Sequence, residues 1–380
     1  MRIKVLHLIT KLEMGGAQGN TIYTFKNLNK EKFYPQIAFG PGGIREKELE
    51  NENSVFKIKS LRREINFLAD IRAFLEIFFL LKKEKPDILH THSSKAGIIG
   101  RFAARAAGIK KIIHTYHGFG FNERQNFLMR NLYIFLEKIA SEFCSKIIFV
   151  SKSNMEKAKD FKIGNPENYI LIRSGVKISE IKKTEKNKEI LYSLPLKKSS
   201  FYAVSVGNLK PQKNPEDFIK IAEKAEKENL DISFLYIGGG DRLDYFKKET
   251  ENKKISERCL FLGWDKNPEK YCAAADIFIL TSLWEGLPRS LVEALSLGLI
   301  PICYDSDGVS DLIKNGENGY LIDQKDFESS YKAIKSLISN PDLFMKLKNE
   351  VLKTDLSDFD IDKMVKDQES LYLSVLSESV

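Results

Sequence analysis

Along this 380-residue chain, short and continuously apolar runs alternate with longer stretches of helical spacing, and the alternation occurs twice. A strand that is apolar at every position must be covered on both faces, and helices in the connections are what cover a parallel sheet. In the first series the runs fall at residues 3–9, 35–40, 87–92, 111–116, 146–151 and 169–172, with helical patterns at 17–28, 67–83, 94–107 and 123–141. The rhythm breaks over residues 176–200, where KKTEKNKE supplies charge without strand character, and resumes with YAVSVG at Tyr202. Runs at 232–237, 259–262, 276–280 and 299–304 complete the second series, and residues 361–374 read as a last helix. The spacing predicts an α/β protein of two doubly wound, Rossmann-like domains, a division natural for a chain of this length. The boundaries it suggests are 1–176 and 177–359, with a helix at 360–380 packing back on the first domain.

Composition excludes several classes. With 43% hydrophobic and 29% charged residues, the chain is of the folded rather than the disordered kind. Its most apolar stretch, residues 74–81, contains Glu76 and runs into Lys82 and Lys83, too short to cross a bilayer. Residues 1–10 read as a first strand, since no small-residue cleavage site follows their brief apolar run. Cys144, Cys259, Cys272 and Cys303 form neither a CxxC pair nor a metal-ligand pattern, and read as buried thiols in a reducing cytoplasm. Residues 1–190 hold 35 Lys and Arg against 20 Asp and Glu, a balance of +15, while the remainder carries −7. A basic first half suits an anionic membrane surface or a phosphate-bearing molecule; a lysine-rich solvated surface is the plainer alternative. No helix-turn-helix, zinc-finger or aromatic RNA-binding motif is present, so nucleic acid is not an expected partner.

Residues 276–298, DIFILTSLWEGLPRSLVEALSLG, carry the most informative pattern. A buried strand leads to Glu285, Gly286, Leu287 and Pro288, and the spacing predicts a helix with Pro288 at its first position and Glu293 in its second turn. The amides of Gly286, Leu287, Arg289 and Ser290 then point from a positive helix end, suited to a diphosphate or a sugar oxygen. Two carboxylates eight residues apart, one before the helix and one within it, suit hydrogen bonds to two different polyols. A second segment, VGNLKPQKNPEDF at 206–218, also joins a strand to a helix, with Asn214 as the expected cap and Pro215 as its first residue. Lys213 sits beside that helix start, where an ammonium and amides together neutralise a leaving diphosphate. Gly238 to Gly240 and Gly263-Trp264 occupy further strand-to-helix turns, where doubly wound sheets bind ligands.

In the first half, Gly15 and Gly16 follow the first strand and permit close backbone approach to a ligand. Neither they nor the later glycines form G-x-G-x-x-G, and no Walker A sequence exists. All five histidines, His7, His90, His92, His114 and His117, lie in this half; His90 and His92 share one face of a strand end and His114 and His117 lie near the end of the next, so a metal cluster must be weighed. No carboxylate or thiol recurs with them at ligand spacing, and packing histidines are the competing reading. Asp305-Ser306-Asp307 has the form of a D-x-D metal motif but follows a strand downstream of the paired glutamates, where chance explains it better.

The E-x7-E pattern set in EGLPRSLVEALSLGLIPI resembles the signature of glycosyltransferase family 4, a retaining family of GT-B fold. The resemblance extends through the GGAQ loop, HTYHGFG, VSKSN, IRSGV, VGNLKPQK and GVSDLIKNGENGYLI, nearly the whole chain. It implies two Rossmann-like domains with a cleft between them, an acceptor-side first domain and a nucleotide-sugar-binding second domain. It implies that Glu285 contacts the donor sugar, Glu293 the ribose hydroxyls, Lys213 the diphosphate, and His117 the donor hexose. Gly15 and Gly16 would face the phosphate and acceptor, main-chain groups around Gly263 and Trp264 the base, and Gly286, Leu287, Pro288 and Ser290 the donor. His92 and Lys95 would lie near the acceptor. The chain departs from the family in having Asn208 where an arginine is usual, Asn214 for a glycine, and Ser174 for an asparagine. The implied activity is transfer of a hexose or N-acetylhexosamine, from a UDP-sugar for preference, to a glycan or polyprenyl-diphosphate-linked acceptor in surface polysaccharide synthesis. No metal or other cofactor is implied, and the expected location is cytoplasmic, peripheral to the inner face of the membrane. A nucleotide-sugar epimerase or hydrolase of the same fold, or a non-catalytic nucleotide-sugar-binding subunit, is the alternative.

Overall fold

A computed structural model describes residues 2–122 and 125–378. The chain divides into two compact units, one of residues 1–175 with 361–380 and the other of residues 176–360.

The first unit contains strands β1 (Ile3–Lys11), β2 (Phe33–Gly40), β3 (Val55–Lys57), β4 (Ile88–His92), β5 (Ile112–Tyr116), β6 (Lys146–Phe149) and β7 (Tyr169–Leu171). They form one parallel sheet in the order β3-β2-β1-β4-β5-β6-β7. Connections run left from β1 and right from β4, so their right-handed crossovers fall on opposite faces. Helices α2 (Phe67–Glu84), α3 (Ser94–Ala107), α4 (Phe127–Ser141) and α5 (Lys152–Asp160) share one face, where Ala73, Ile77, Ala96, Ile134 and Ala158 join a single core cluster. On the other face, α1 (Gly16–Asn27) lies beside the C-terminal helix (Ile361–Ser377), whose Ile361, Met364, Val365 and Tyr372 pack under Val5, Ile88 and Ile148. Side-chain caps start several of these helices: Asn66 accepts from Ala69 N–H, Asn126 from Leu128 N–H and Ser151 from Asn154 N–H. Because Asn126 is a cap, α4 begins at Phe127 and not at 123; residues 123 and 124 lie outside the described residues.

In the second unit, β8 (Phe201–Val206), β9 (Ile232–Ile237), β10 (Cys259–Gly263), β11 (Ile277–Leu280), β12 (Ile300–Tyr304) and β13 (Tyr320–Ile322) form a parallel sheet in the order β10-β9-β8-β11-β12-β13. Its helices are α6 (Ile178–Ile181), α7 (Glu189–Tyr192), α8 (Pro215–Lys227), α9 (Leu243–Asn252), α10 (Glu269–Ala274), α11 (Arg289–Leu297), α12 (Phe327–Ser339) and α13 (Pro341–Lys353). Residues 176–200 contain no strand, as expected, but hold the short helices α6 and α7 on either side of the charged run. Two three-residue strands, β3 and β13, were not expected from sequence; each lies at a sheet edge, too short and too little buried to register as an apolar run. Both units are doubly wound parallel α/β domains. Among the described residues no helix is long and apolar enough to cross a membrane, and all four cysteines are buried thiols.

The first unit buries an unusual set of ionisable groups. Arg101 and Glu137, both essentially inaccessible, pair at 2.5 Å, and Tyr116 donates to the same carboxylate at 2.7 Å. A pair this deep is held by its complementary bonds, and loss of either partner would strand a charge. His7, His90, His92 and His114 are also buried, and burial depresses all four, His7 from 6.5 to about 3. A folded-state value below the unfolded one means that the unfolded chain binds the extra proton. The stabilisation is therefore complete above about pH 6.5 and is lost as pH falls, by about 1.4 kcal/mol per pH unit for each histidine. Measured as the pH slope of unfolding between about pH 5 and 6, the His7→Phe variant should take up about one proton fewer than the native chain. An unchanged slope would show that His7 is already charged in the fold.

Candidate functional site

In the second unit, β8 and β11 are neighbours whose following connections depart in opposite directions, leaving a crevice at their carboxyl ends. The loop after β8 carries Asn208 and Lys213, and the loop after β11 carries Glu285 to Pro288. The two loops are stitched together: Leu283 N–H donates to Gln212 O at 2.8 Å, Gln212 Nε2 to Trp284 O at 2.7 Å, and Thr281 Oγ1 to Lys213 O at 2.9 Å. Across this seam the Lys213 ammonium pairs with the Glu285 carboxylate, both largely buried. Beneath them, burial and the Glu285 charge raise the Tyr236 phenol, so it stays a neutral donor. Residues 72 apart in sequence thus form one rigid polar centre.

Two local expectations are corrected. Pro288 is the cap of α11, with extended ψ of 98°, and the helix proper begins at Arg289. Its first turn-closing bond is Leu291 N–H to Pro288 O, so the amides of Arg289 and Ser290 precede the helical ladder and lie at its positive end. Asn214 occupies the cap position of α8 but does not cap it; its φ of 48° is left-handed, and its amide donates to Asp217 at 2.7 Å. A residue tolerant of the left-handed region is required there, which is why asparagine can stand in place of glycine. Gly286 is packed tightly from below: a Cβ on Gly308, itself at φ +78°, would lie 2.2 Å from Gly286 O. The Asp305-Ser306-Asp307 segment thus leads into a turn that supports the Glu285 loop. Asn208 Oδ1 is buried with no hydrogen-bond partner among the described residues.

Glu293, one turn into α11, faces a pocket of about 210 Å3 lined by Lys177, Glu180, Ile181, Thr184, Glu269 and Arg289. Burial raises its carboxyl above the usual range, Arg289 opposes the rise and Glu269 adds to it. Of those lining residues only Arg289 was named from sequence, for its amide; the others lie on or beside α6 and α10. At the ends of β9 and β10, Gly238 N–H donates to Gly263 O at 2.9 Å, and the half-exposed Trp264 indole lies across Gly239, where a Cβ would approach it to 2.8 Å.

The first unit has its own crevice, between β1 and β4. Thr10 Oγ1 and Ser93 Oγ meet at 2.7 Å across it, and Ser93 is held at φ 61°, a strained conformation for a side-chain-bearing residue. Gly15 is the extended cap of α1, and an added Cβ there would first meet the flexible end of Gln18. Gly16 begins α1. His92 is buried, with Nε2 3.1 Å from His7 Nδ1 and Nδ1 3.2 Å from His117 Nε2. His7, 85 residues away, had no sequence signal linking it to this group; parallel register alone places it opposite His90. His90 instead bonds Tyr372 and Thr115, each at 2.7 Å. His7, His90 and His92 are close enough for a metal to bridge their ring nitrogens. Lys95, in the first turn of α3, is tied to Asp70 at 2.6 Å and to Glu64 O.

Comparison with known proteins adds to this geometry. Residues 14–180 match the model of Glycosyltransferase Family 4 and residues 186–354 that of Glycosyl transferases group 1. The chain is 32% identical over 382 residues to the Escherichia coli UDP-Gal:alpha-D-GlcNAc-diphosphoundecaprenol alpha-1,3-galactosyltransferase, covering 99% of this chain and 98% of that protein. It is 27% identical to the Staphylococcus aureus capsular polysaccharide biosynthesis glycosyltransferase CapH, over 98% of this chain and 99% of the relative. The crystal structure of Anabaena HepE in complex with UDP superposes with a TM-score of 0.80 over 98% of this chain and 100% of HepE, at 17% identity, a likeness of fold. Two doubly wound units, matched along nearly their whole length by enzymes of one kind, make this chain a glycosyltransferase of GT-B fold belonging to glycosyltransferase family 4.

Proposed function

We propose that the enzyme is a retaining transferase that moves a hexose or N-acetylhexosamine from a UDP-sugar to a polyprenyl-diphosphate-linked acceptor. The observation that carries this reading is the Lys213–Glu285 pair, held on two stitched loops at the carboxyl ends of β8 and β11. Support for the donor and acceptor comes from the names of relatives: a UDP-galactose-dependent enzyme acting on GlcNAc-diphosphoundecaprenol, and a capsule enzyme.

In this reading the donor diphosphate lies against the Lys213 ammonium and the amides of Leu287 and Ser290 at the start of α11. Negative charge grows on the leaving oxygen as the sugar–phosphate bond breaks, and groups already aimed at that charge lower the barrier. Glu285 both orients Lys213 and accepts from donor-sugar hydroxyls, Glu293 binds the ribose, and Trp264 with Gly263 frames the base. His117 contacts the hexose, Gly15 and Gly16 admit the phosphate, and Lys95 lies toward the acceptor. The acceptor hydroxyl attacks on the face from which phosphate departs and passes its proton to that phosphate, so no carboxylate nucleophile and no metal are assigned.

Replacing Lys213 with alanine should lower kcat by about 10²–10³-fold, the cost of deleting one preorganised donor to a developing anion. Turnover within a few-fold of native would remove Lys213 from the chemistry. Glu293→Ala should weaken UDP binding by about tenfold or more, through loss of a charge-assisted hydrogen bond, with a smaller effect on kcat. Calorimetry giving an unchanged UDP affinity would reject the ribose assignment. Donor consumption that proceeds equally well without acceptor would favour a hydrolase or epimerase instead.

A further inference from the structure

Helix α2 carries two apolar faces. Toward the sheet it presents Ala73, Ile77 and Leu81, all buried; away from it Leu68, Ile71, Leu75 and Phe79 recur every three or four residues in the open, Phe79 with 64% exposure. An apolar helix face is ordinarily covered. On the same face of the sheet, beyond α3, helix α4 repeats the pattern with Phe127, Leu128, Leu132 and Phe135, the first two above 70% exposed. Both helices follow strands of a parallel sheet, so both begin at its carboxyl edge, the edge that carries His117 and the Thr10–Ser93 crevice.

Charge on α2 is sorted by side. Its acids turn inward: Asp70 pairs with Lys95 at 2.6 Å, Glu76 accepts from Ser60 N–H at 3.2 Å, and Glu84 accepts from Gln36 at 2.8 Å. Arg72, Lys82 and Lys83 on the helix and Lys85 at its C-cap remain exposed. Exposed apolar side chains ringed by cations match the interfacial zone of an anionic bilayer, where side chains enter the acyl boundary and cations meet lipid phosphates. A second copy of the chain would set the same cations against each other. We propose that the outer faces of α2 and α4 dock the enzyme on an anionic membrane. The lipid-linked acceptor proposed above gives the surface its purpose, and the test does not depend on turnover.

The full chain is sedimented with phosphatidylcholine vesicles, with and without phosphatidylglycerol, at low and high salt. Binding should require phosphatidylglycerol and weaken with salt. The Leu75→Ser/Phe79→Ser pair should lower vesicle affinity at least about tenfold, and Lys82→Glu/Lys83→Glu should abolish the lipid preference, while UDP affinity and circular dichroism stay native. Absence of binding to phosphatidylglycerol vesicles, binding indifferent to both pairs, or a solution dimer that the serine pair dissociates would overturn the proposal. Loss of the function reading would appear separately, as failure to bind UDP with vesicle binding intact.

Discussion

A parallel sheet wound in both directions from its middle leaves one place uncovered, the carboxyl ends of the two strands whose connections part. Right-handed crossovers dictate that gap, and both units of this chain have it, between β1 and β4 and between β8 and β11. Lys213 and Glu285 lie at the second of these gaps. In the second unit the gap is closed below by hydrogen bonds between the loops, so that Lys213 and Glu285 are held as a pair rather than as two mobile side chains. Such a pair is oriented before any ligand arrives, which is the condition under which an ammonium stabilises a departing diphosphate.

The first unit solves a different problem. Its sheet carries histidines at adjacent register positions, and burial keeps them neutral while hydrogen bonds order them. The C-terminal helix returns to this unit to place Tyr372 against His90, 282 residues away. That helix therefore completes the core behind the candidate residues, and Arg101, Glu137 and Tyr116 fill the opposite side with a buried ion pair.

The sequence disclosed the double winding because buried parallel strands are apolar at every position, and it disclosed Glu285, Glu293 and Lys213 because strand-to-helix junctions are where such sheets bind ligands. It hid features that depend on register or on absence of cover. Nothing local marks His7 as a partner of His92, since their meeting follows from strand alignment. The left-handed Asn214 read as a cap because the same residue type serves both uses. Pro288 was displaced by one position because its fixed φ suits a cap as well as a first turn. The outer stripe of α2 was indistinguishable from core, since only the fold shows which of a helix's two apolar faces lacks a neighbour.

The central claim is that the diphosphate of the donor is gripped between Lys213 and the start of α11. A crystal structure of the enzyme with UDP addresses it directly. The account requires a pyrophosphate oxygen within hydrogen-bond distance of Lys213 Nζ and of the Leu287 or Ser290 amide, with the ribose on Glu293. Nucleotide bound away from these loops, with the Lys213–Glu285 pair undisturbed, would contradict it.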